Sequence, residues 1–265
     1  KSNREKIAQL TAELEKYQNS DPARAGHSAM NTGDIYFRSG IYNLALQSYF
    51  KSLDLFEKAG SLSWVAISHM KLGRTYYFAD LPAPVNHLQV ARELFEKTGE
   101  PEFEPYYLYL KANTSDNENT QARYIKKALN ALKSLMDAGS MDPRNRELLA
   151  MLLNADGKLE EGIKVAETLP DKWLLVLILN NHGAGLLASG KADQALTVFQ
   201  RSLAICKKER YKTLIRNTFE NIAAVYRAKN DWKRSAIYMQ LFKIVSESLY
   251  LEQHSYQVSE MEVKY

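Results

Sequence analysis

The sequence predicts an all-α protein, a solenoid of about six stacked helix pairs with a leading helix before them and an extension helix after them. Three observations predict it. Gly33 and Gly73 stand forty residues apart, as do Gly183 and Ala223, and each is followed three places later by a bulky residue, Tyr36, Tyr76, Leu186 or Tyr226. A small residue lets two helices touch and a large one fills the space beside the contact, so a unit that repeats the pair stacks on copies of itself. The segment Lys51 to Gly60, KSLDLFEKAG, is echoed by Val90 to Gly99, VARELFEKTG. Glycines then punctuate the chain where helices must stop and turn.

Taken in order, Ile7, Leu10, Leu14 and Tyr17 fall at helical spacing in a leading helix over 5–17, and Asp21-Pro22 starts the next. The first pair covers about 25–60, turning at Ser39-Gly40. The second covers 64–99; its turn, Leu81-Pro82-Ala83-Pro84, carries two prolines that delay the return helix, so distortion is expected at 79–85. The third, 101–138, joins a tyrosine-rich helix to its partner over 121–137 through a polar loop. Tyr106, Tyr107 and Tyr109 there are either a ligand surface or interhelical packing. The fourth, 143–170, regains the pattern at Ala150, Leu153, Gly157, Gly162 and Ala166. The last two, 174–209 and 213–250, are regular, and 251–265 forms a C-terminal helix or linker. Ile244, Leu251, Val258 and Tyr265 recur every seventh residue, which fits either a seam between two helices, and so a dimer through this helix, or a cap on the last pair.

Composition narrows function. With 45% hydrophobic and 25% charged residues the chain suits an ordinary folded domain, and 35 Lys plus Arg against 31 Asp plus Glu give +4, too little and too scattered for a nucleic-acid surface. The longest apolar run, Trp173 to Leu179, is far short of the roughly 20 residues that cross a bilayer and reads as a buried helix. Cys206 lies on an apolar stripe with Phe199, Leu203 and Ile205 and reads as a small buried hydrophobe. None of the five histidines, His27, His69, His87, His182 and His254, lies three or four residues from another, so no metal-binding spacing exists. Gly183-Ala184-Gly185-Leu186-Leu187-Ala188 fits the letters of a dinucleotide fingerprint, but its glycines fill the close-contact places of a repeat that runs on to Ala195. No cofactor, metal or catalytic residue is expected, and the chain reads as non-enzymatic.

The pattern Gly183, Leu186, Gly190, Ala195, Phe199, Ser202 and then Ala223, Tyr226, Asn230, Ser235, Met239, Phe242 resembles the tetratricopeptide repeat in its elongated form, over about residues 25–250. The resemblance implies a right-handed superhelix whose concave groove, lined by the first helix of each pair, holds a protein or peptide. Asparagine recurs two places before the small residue, at Asn31, Asn181 and Asn221, and an amide both donates to and accepts from a peptide backbone. The alternative is that these amides are solvated or bond a neighbouring helix. With Asn217, and with Arg38, Lys71, Arg74 and Arg227 adding positive charge, they form the expected ligand-binding set, favouring an acidic ligand.

The start at Lys1-Ser2-Asn3, without Met or an apolar leader, reads as a piece of a longer chain. The stretch Ser246 to Tyr265 resembles the segment that follows repeat ectodomains in bacterial membrane-anchored sensors with histidine-kinase or LuxR-type outputs. That resemblance implies the sensory part of a signal-transduction or transcriptional regulator, periplasmic, attached to a membrane only by segments outside this sequence. The other reading is a cytoplasmic scaffold or co-chaperone-like adaptor.

Overall fold

Helices begin where the sequence supplies a cap and end where it supplies a residue able to reverse the chain. The computed structural model describes residues 3–79, 81, 84–139 and 143–263, and every regular element among them is helical. In chain order these are α1 (Asn3–Tyr17), α2 (Pro22–Arg38), α3 (Tyr42–Lys58), α4 (Leu62–Phe78), α5 (Pro84–Thr98), a single 3-10 turn (Pro101–Phe103), α6 (Glu104–Asn113) and α7 (Glu118–Asp137). There follow α8 (Pro143–Ala155), α9 (Leu159–Thr168), α10 (Trp173–Ala188), α11 (Ala192–Glu209), α12 (Lys212–Ala228) and α13 (Trp232–Val263). The leading helix and six helix pairs follow in sequence order, and the C-terminal extension is no separate element, because α13 runs on unbroken from the last pair to Val263. Part of the turn expected to be distorted lies outside the described residues; α4 ends at Phe78 and α5 begins at Pro84.

The caps follow local chemistry. Asp21 accepts from the Arg24 amide at 3.0 Å with Pro22 behind it, and Asn117 accepts from the Thr120 amide at 3.0 Å. At the turn inside a pair, Gly40, Gly190 and Asn230 occupy the left-handed region at φ 77°, 75° and 58°. Asparagine thus takes the place of glycine in the last pair, as side chains that bond locally are able to do.

The chain divides into two compact units, Lys1–Asp156 and Gly157–Tyr265. In the first, α1 closes the near end: Leu14 and Tyr17 pack on Ala25, Ala29 and Leu55, and Arg24 lies 3.9 Å over the Tyr17 ring while pairing with Glu13. Gly33 lets the buried Tyr49 ring of α3 lie directly on α2, and a Cβ at Gly33 would stand 2.6 Å from Tyr49 Cε1. In the second unit, Ala195, Phe199, Ile222, Val225 and Tyr226 make a core flanked by Leu186, Leu196, Leu203 and Tyr238. Gly183 plays the part of Gly33, with Phe199 Cε1 2.5 Å from where its Cβ would be.

Trp173 to Leu179 is helical, with all but Leu177 of those seven buried, as expected of a run too short for a membrane. Among the described residues no helix is long and apolar enough to cross one. Cys206 is fully buried and its thiol is pushed up to about 11 by that burial, which leaves it inert. The tyrosines of α6 pack and bond within the unit: Tyr106 Oη donates to the Arg144 carbonyl at 3.3 Å, and Lys111 Nζ donates to Tyr107 Oη at 2.9 Å. Burial, eased by a bond from Asn113, pushes the Tyr109 hydroxyl above its ordinary pKa.

Candidate functional site on the first helices of the pairs

Four of the eight residues singled out by spacing fall in the first unit, on α2 and α4, and four in the second, on α10 and α12. In the first unit the three cations among them act on one carboxylate. Asp34 stands one turn after the exposed Asn31 and accepts from Lys71 Nζ at 2.7 and 2.9 Å and from Tyr49 Oη at 2.6 Å. Gly33 is what brings the phenol there, because the Tyr49 ring crosses α2 over the missing Cβ and its hydroxyl reaches the next residue. Arg74 lies 4.4 Å over the Phe37 ring, and Phe78 meets the same ring edge-on at 5.4 Å. The preceding residue, Tyr77, is 73% exposed.

Electrostatics tie this group together. Burial works to raise the Asp34 pKa, but Lys71, then Arg74 and Arg38, outweigh it and hold the carboxyl below its ordinary value. Burial and the Asp34 charge drive the Tyr49 hydroxyl well above its own. Arg38, Lys71 and Arg74 therefore converge on one ionised carboxylate. Lys71 is held in a half-buried ion pair instead of standing as a solvated charge.

The second unit carries the same scaffold without the charges. The offset from Gly33 to Gly183 also takes Asp34 to Ala184, Arg38 to Ala188, Tyr49 to Phe199, Lys71 to Asn221 and Arg74 to Ala224. Every member of the ionic group is replaced at once. The small polar contact beneath is kept, with Ser52 Oγ 3.4 Å from Ser68 Oγ in the first unit and Ser202 Oγ 3.4 Å from Thr218 Oγ1 in the second. Here Asn181 and Arg227 are exposed, and Asn217 and Asn221 are half-buried. The Asn217 amide oxygen accepts from Arg216 Nε and Nη2, both at 3.1 Å. Asn180, beside Asn181 in sequence, is buried, accepts from Ser202 at 2.8 Å and joins the α11–α12 interface instead of the exposed face.

Spacing alone found the cations but did not pair them with Asp34. Asp34 carried a signal, a lone acid three residues from Asn31 and nearly one repeat before Lys71. Tyr49 carried one only through Gly33. What no spacing shows is that a tyrosine from the second helix of the pair completes the group.

Residues 174–240 match a family profile described as tetratricopeptide repeat. No curated protein sequence matches the chain. Among solved structures, the chain resembles a Rap protein complexed with Competence and Sporulation Factor, at 14% identity and TM-score 0.63 over 93% of this chain and 71% of that one. It also resembles the Rap conjugation gene regulator of the plasmid pLS20 in complex with the Phr* peptide, at 13% identity and TM-score 0.59 over 93% and 70%. A third is aspartyl phosphate phosphatase F from Bacillus subtilis, at 13% identity and TM-score 0.55 over 92% and 68%. At these identities the likeness is one of fold, and it extends the repeat architecture over nearly the whole chain.

Proposed function

We propose that this chain, a helical-repeat protein with tetratricopeptide repeats at 174–240 and the same fold over most of its length, is a non-enzymatic binding domain for a peptide or protein segment. The observation that carries the reading is the first-helix surface itself. In the first unit the exposed Asn31 lies on the same two helices as Arg38, Lys71 and Arg74, and in the second unit Asn181, Asn217 and Asn221, exposed or half-exposed, lie on the same two helices as Arg227, with the opposite faces of these helices taken up by packing. Amides of this kind hold a backbone without reading its side chains, and the exposed Arg227 guanidinium, outside the Asp34 group, favours a carboxylate, so the ligand is an extended, acidic segment. Two of the structures sharing the fold are described as complexes, one with a factor and one with a peptide. That supports the same use here.

The domain is read further as the sensory part of a bacterial signal-transduction or transcriptional regulator, on the periplasmic side, pairing with a second copy through α13. Ile237, Ile244 and Leu251, at seven-residue spacing on α13, are 49%, 54% and 67% exposed, which supports that pairing. For ligand capture the test is fluorescence anisotropy with an acidic peptide library on the wild type and on Asn181→Ala/Asn221→Ala. The double variant is expected to lose about tenfold in affinity, one good hydrogen-bonding site, with an unchanged melting curve. Unchanged affinity moves the site elsewhere, and a library without binders rejects the acidic-peptide reading.

A further inference from the structure

The fold joins two histidines that sequence spacing kept apart. His69 on α4 and His87 near the start of α5 face each other across the second pair, with Nδ1 atoms 2.8 Å apart and ring centroids 5.1 Å apart. The Tyr76 ring stacks on His87 at 5.4 Å, and Phe50 of α3 meets it edge-on at 5.9 Å. Both imidazoles are half-buried and Phe50 is 42% exposed, so the pair sits towards the rim of the hairpin rather than in its core. Neither histidine serves the surface described above.

At neutral pH both rings are uncharged. Burial lowers the pKa of each, and at His69, where the facing His87 adds to the effect, it falls to about 4. One Nδ1–H therefore donates to the other Nδ1, and the second ring presents a bare lone pair. Moving the shared proton to Nε2 of its own ring frees both Nδ1 lone pairs without releasing a proton.

We propose that His69 and His87 form a two-nitrogen chelating site for a divalent transition-metal cation of square-planar or octahedral preference, copper(II) or nickel(II). The separation, as it stands in the hydrogen-bonded pair, fits such a metal. Ligand bonds of about 2.05 Å to nitrogens 2.8 Å apart subtend about 86° and place the ion about 1.5 Å off the line joining them. That angle is a cis pair in a tetragonal or octahedral site, whereas tetrahedral zinc would want the nitrogens roughly 3.3 Å apart. To aim both lone pairs at the ion the rings turn about χ2, a broad and shallow torsion. Among the described residues no group of three or more His, Cys, Asp or Glu side chains could hold a metal, so the remaining positions are filled by water. The site is an open one.

The test is titration of the full chain with copper(II) sulfate alone in a non-coordinating buffer, read by calorimetry and by electron paramagnetic resonance. One equivalent should bind, with coupling to two nitrogens. His69→Gln and His87→Gln should each weaken binding by tenfold or more, while His27→Gln leaves it unchanged. Wild-type affinity in both single variants would overturn the assignment. Because a variant could loosen the hairpin, the wild-type spectrum is a second and independent readout: a signal without two coupled nitrogens, or no saturable site, also overturns it.

Discussion

Replacing Gly183 by alanine sets a local gain against a packing loss, and the structure says which wins. In the interior of an exposed helix the change stabilises by about 1 kcal/mol. Here the new methyl would lie 2.5, 2.7 and 2.9 Å from three carbons of Phe199, closer than carbon atoms approach. That ring is fully buried against Ile222, Val225 and Tyr226 and has nowhere to move. Overfilling a packed core costs about 1 to 3 kcal/mol, and contact with three atoms of a rigid ring argues for the upper half, so a net loss of about 1 to 2 kcal/mol is expected. Phe199→Leu alone should cost about 1 to 2 kcal/mol through the space it opens. Combined, the methyl occupies the edge vacated by the ring, so the double variant should be more stable than the sum of the singles by about 2 kcal/mol. Gly185→Ala, two residues along α10 with nothing within 4 Å of its Cβ position, is the control and should stabilise by about 1 kcal/mol, less near the helix end. Urea unfolding followed by circular dichroism measures all four, with m-values checked for a single transition. A Gly183→Ala protein as stabilised as Gly185→Ala, or additive energies in the double variant, would refute the close-approach argument.

Arg210 holds φ 60° after α11, where the same offset in the first unit places Gly60 at φ 69°. Arg210→Gly should raise the melting free energy by about 0.5 to 1 kcal/mol, since a side chain in that region costs about 1 kcal/mol or more and part of the gain is lost to unfolded-state entropy. Asp34→Ala strips partners from Lys71 and from the buried Tyr49 hydroxyl and should destabilise by about 2 to 3 kcal/mol in urea melts. Tyr49→Phe in that background should then cost less than it does alone, whereas two independent sites would give the same cost in both backgrounds. For pH, His69 is the group to follow. Its folded pKa, about 4, lies below the unfolded value of about 6.5, so between these the unfolded chain takes up a proton that the folded chain refuses. Stability is thus fully present above about pH 6.5, falls as pH drops towards 4 and levels below it; His69→Gln should flatten that slope in melts across the window.

How much of this could be read from the chain alone depends on the range of each interaction. Helix pairs were legible because their signals are local: Asp21-Pro22 opens α2, Gly190 and Asn230 close turns, and Gly183 with Leu186 marks a close contact one turn long. Charge partners were not. Lys71 read as a free cation on a ligand surface, and the structure ties it to Asp34 across two helices. Asn180 and Asn181 differ by one letter position, yet one is buried in a hydrogen-bonded interface and the other exposed, because adjacent residues on a helix point about 100° apart.

Order along the chain, then, was set by the sequence itself: where helices start and stop, which faces are apolar, and the repeat that forces neighbours to stack. Such features depend on backbone preferences and on periodic burial, both carried by residues a few places apart. Which side chains meet was decided only by the tertiary structure. The Asp34 group draws on three helices and the His69–His87 pair on two, and the side-chain angles that join them exist only once those helices have packed.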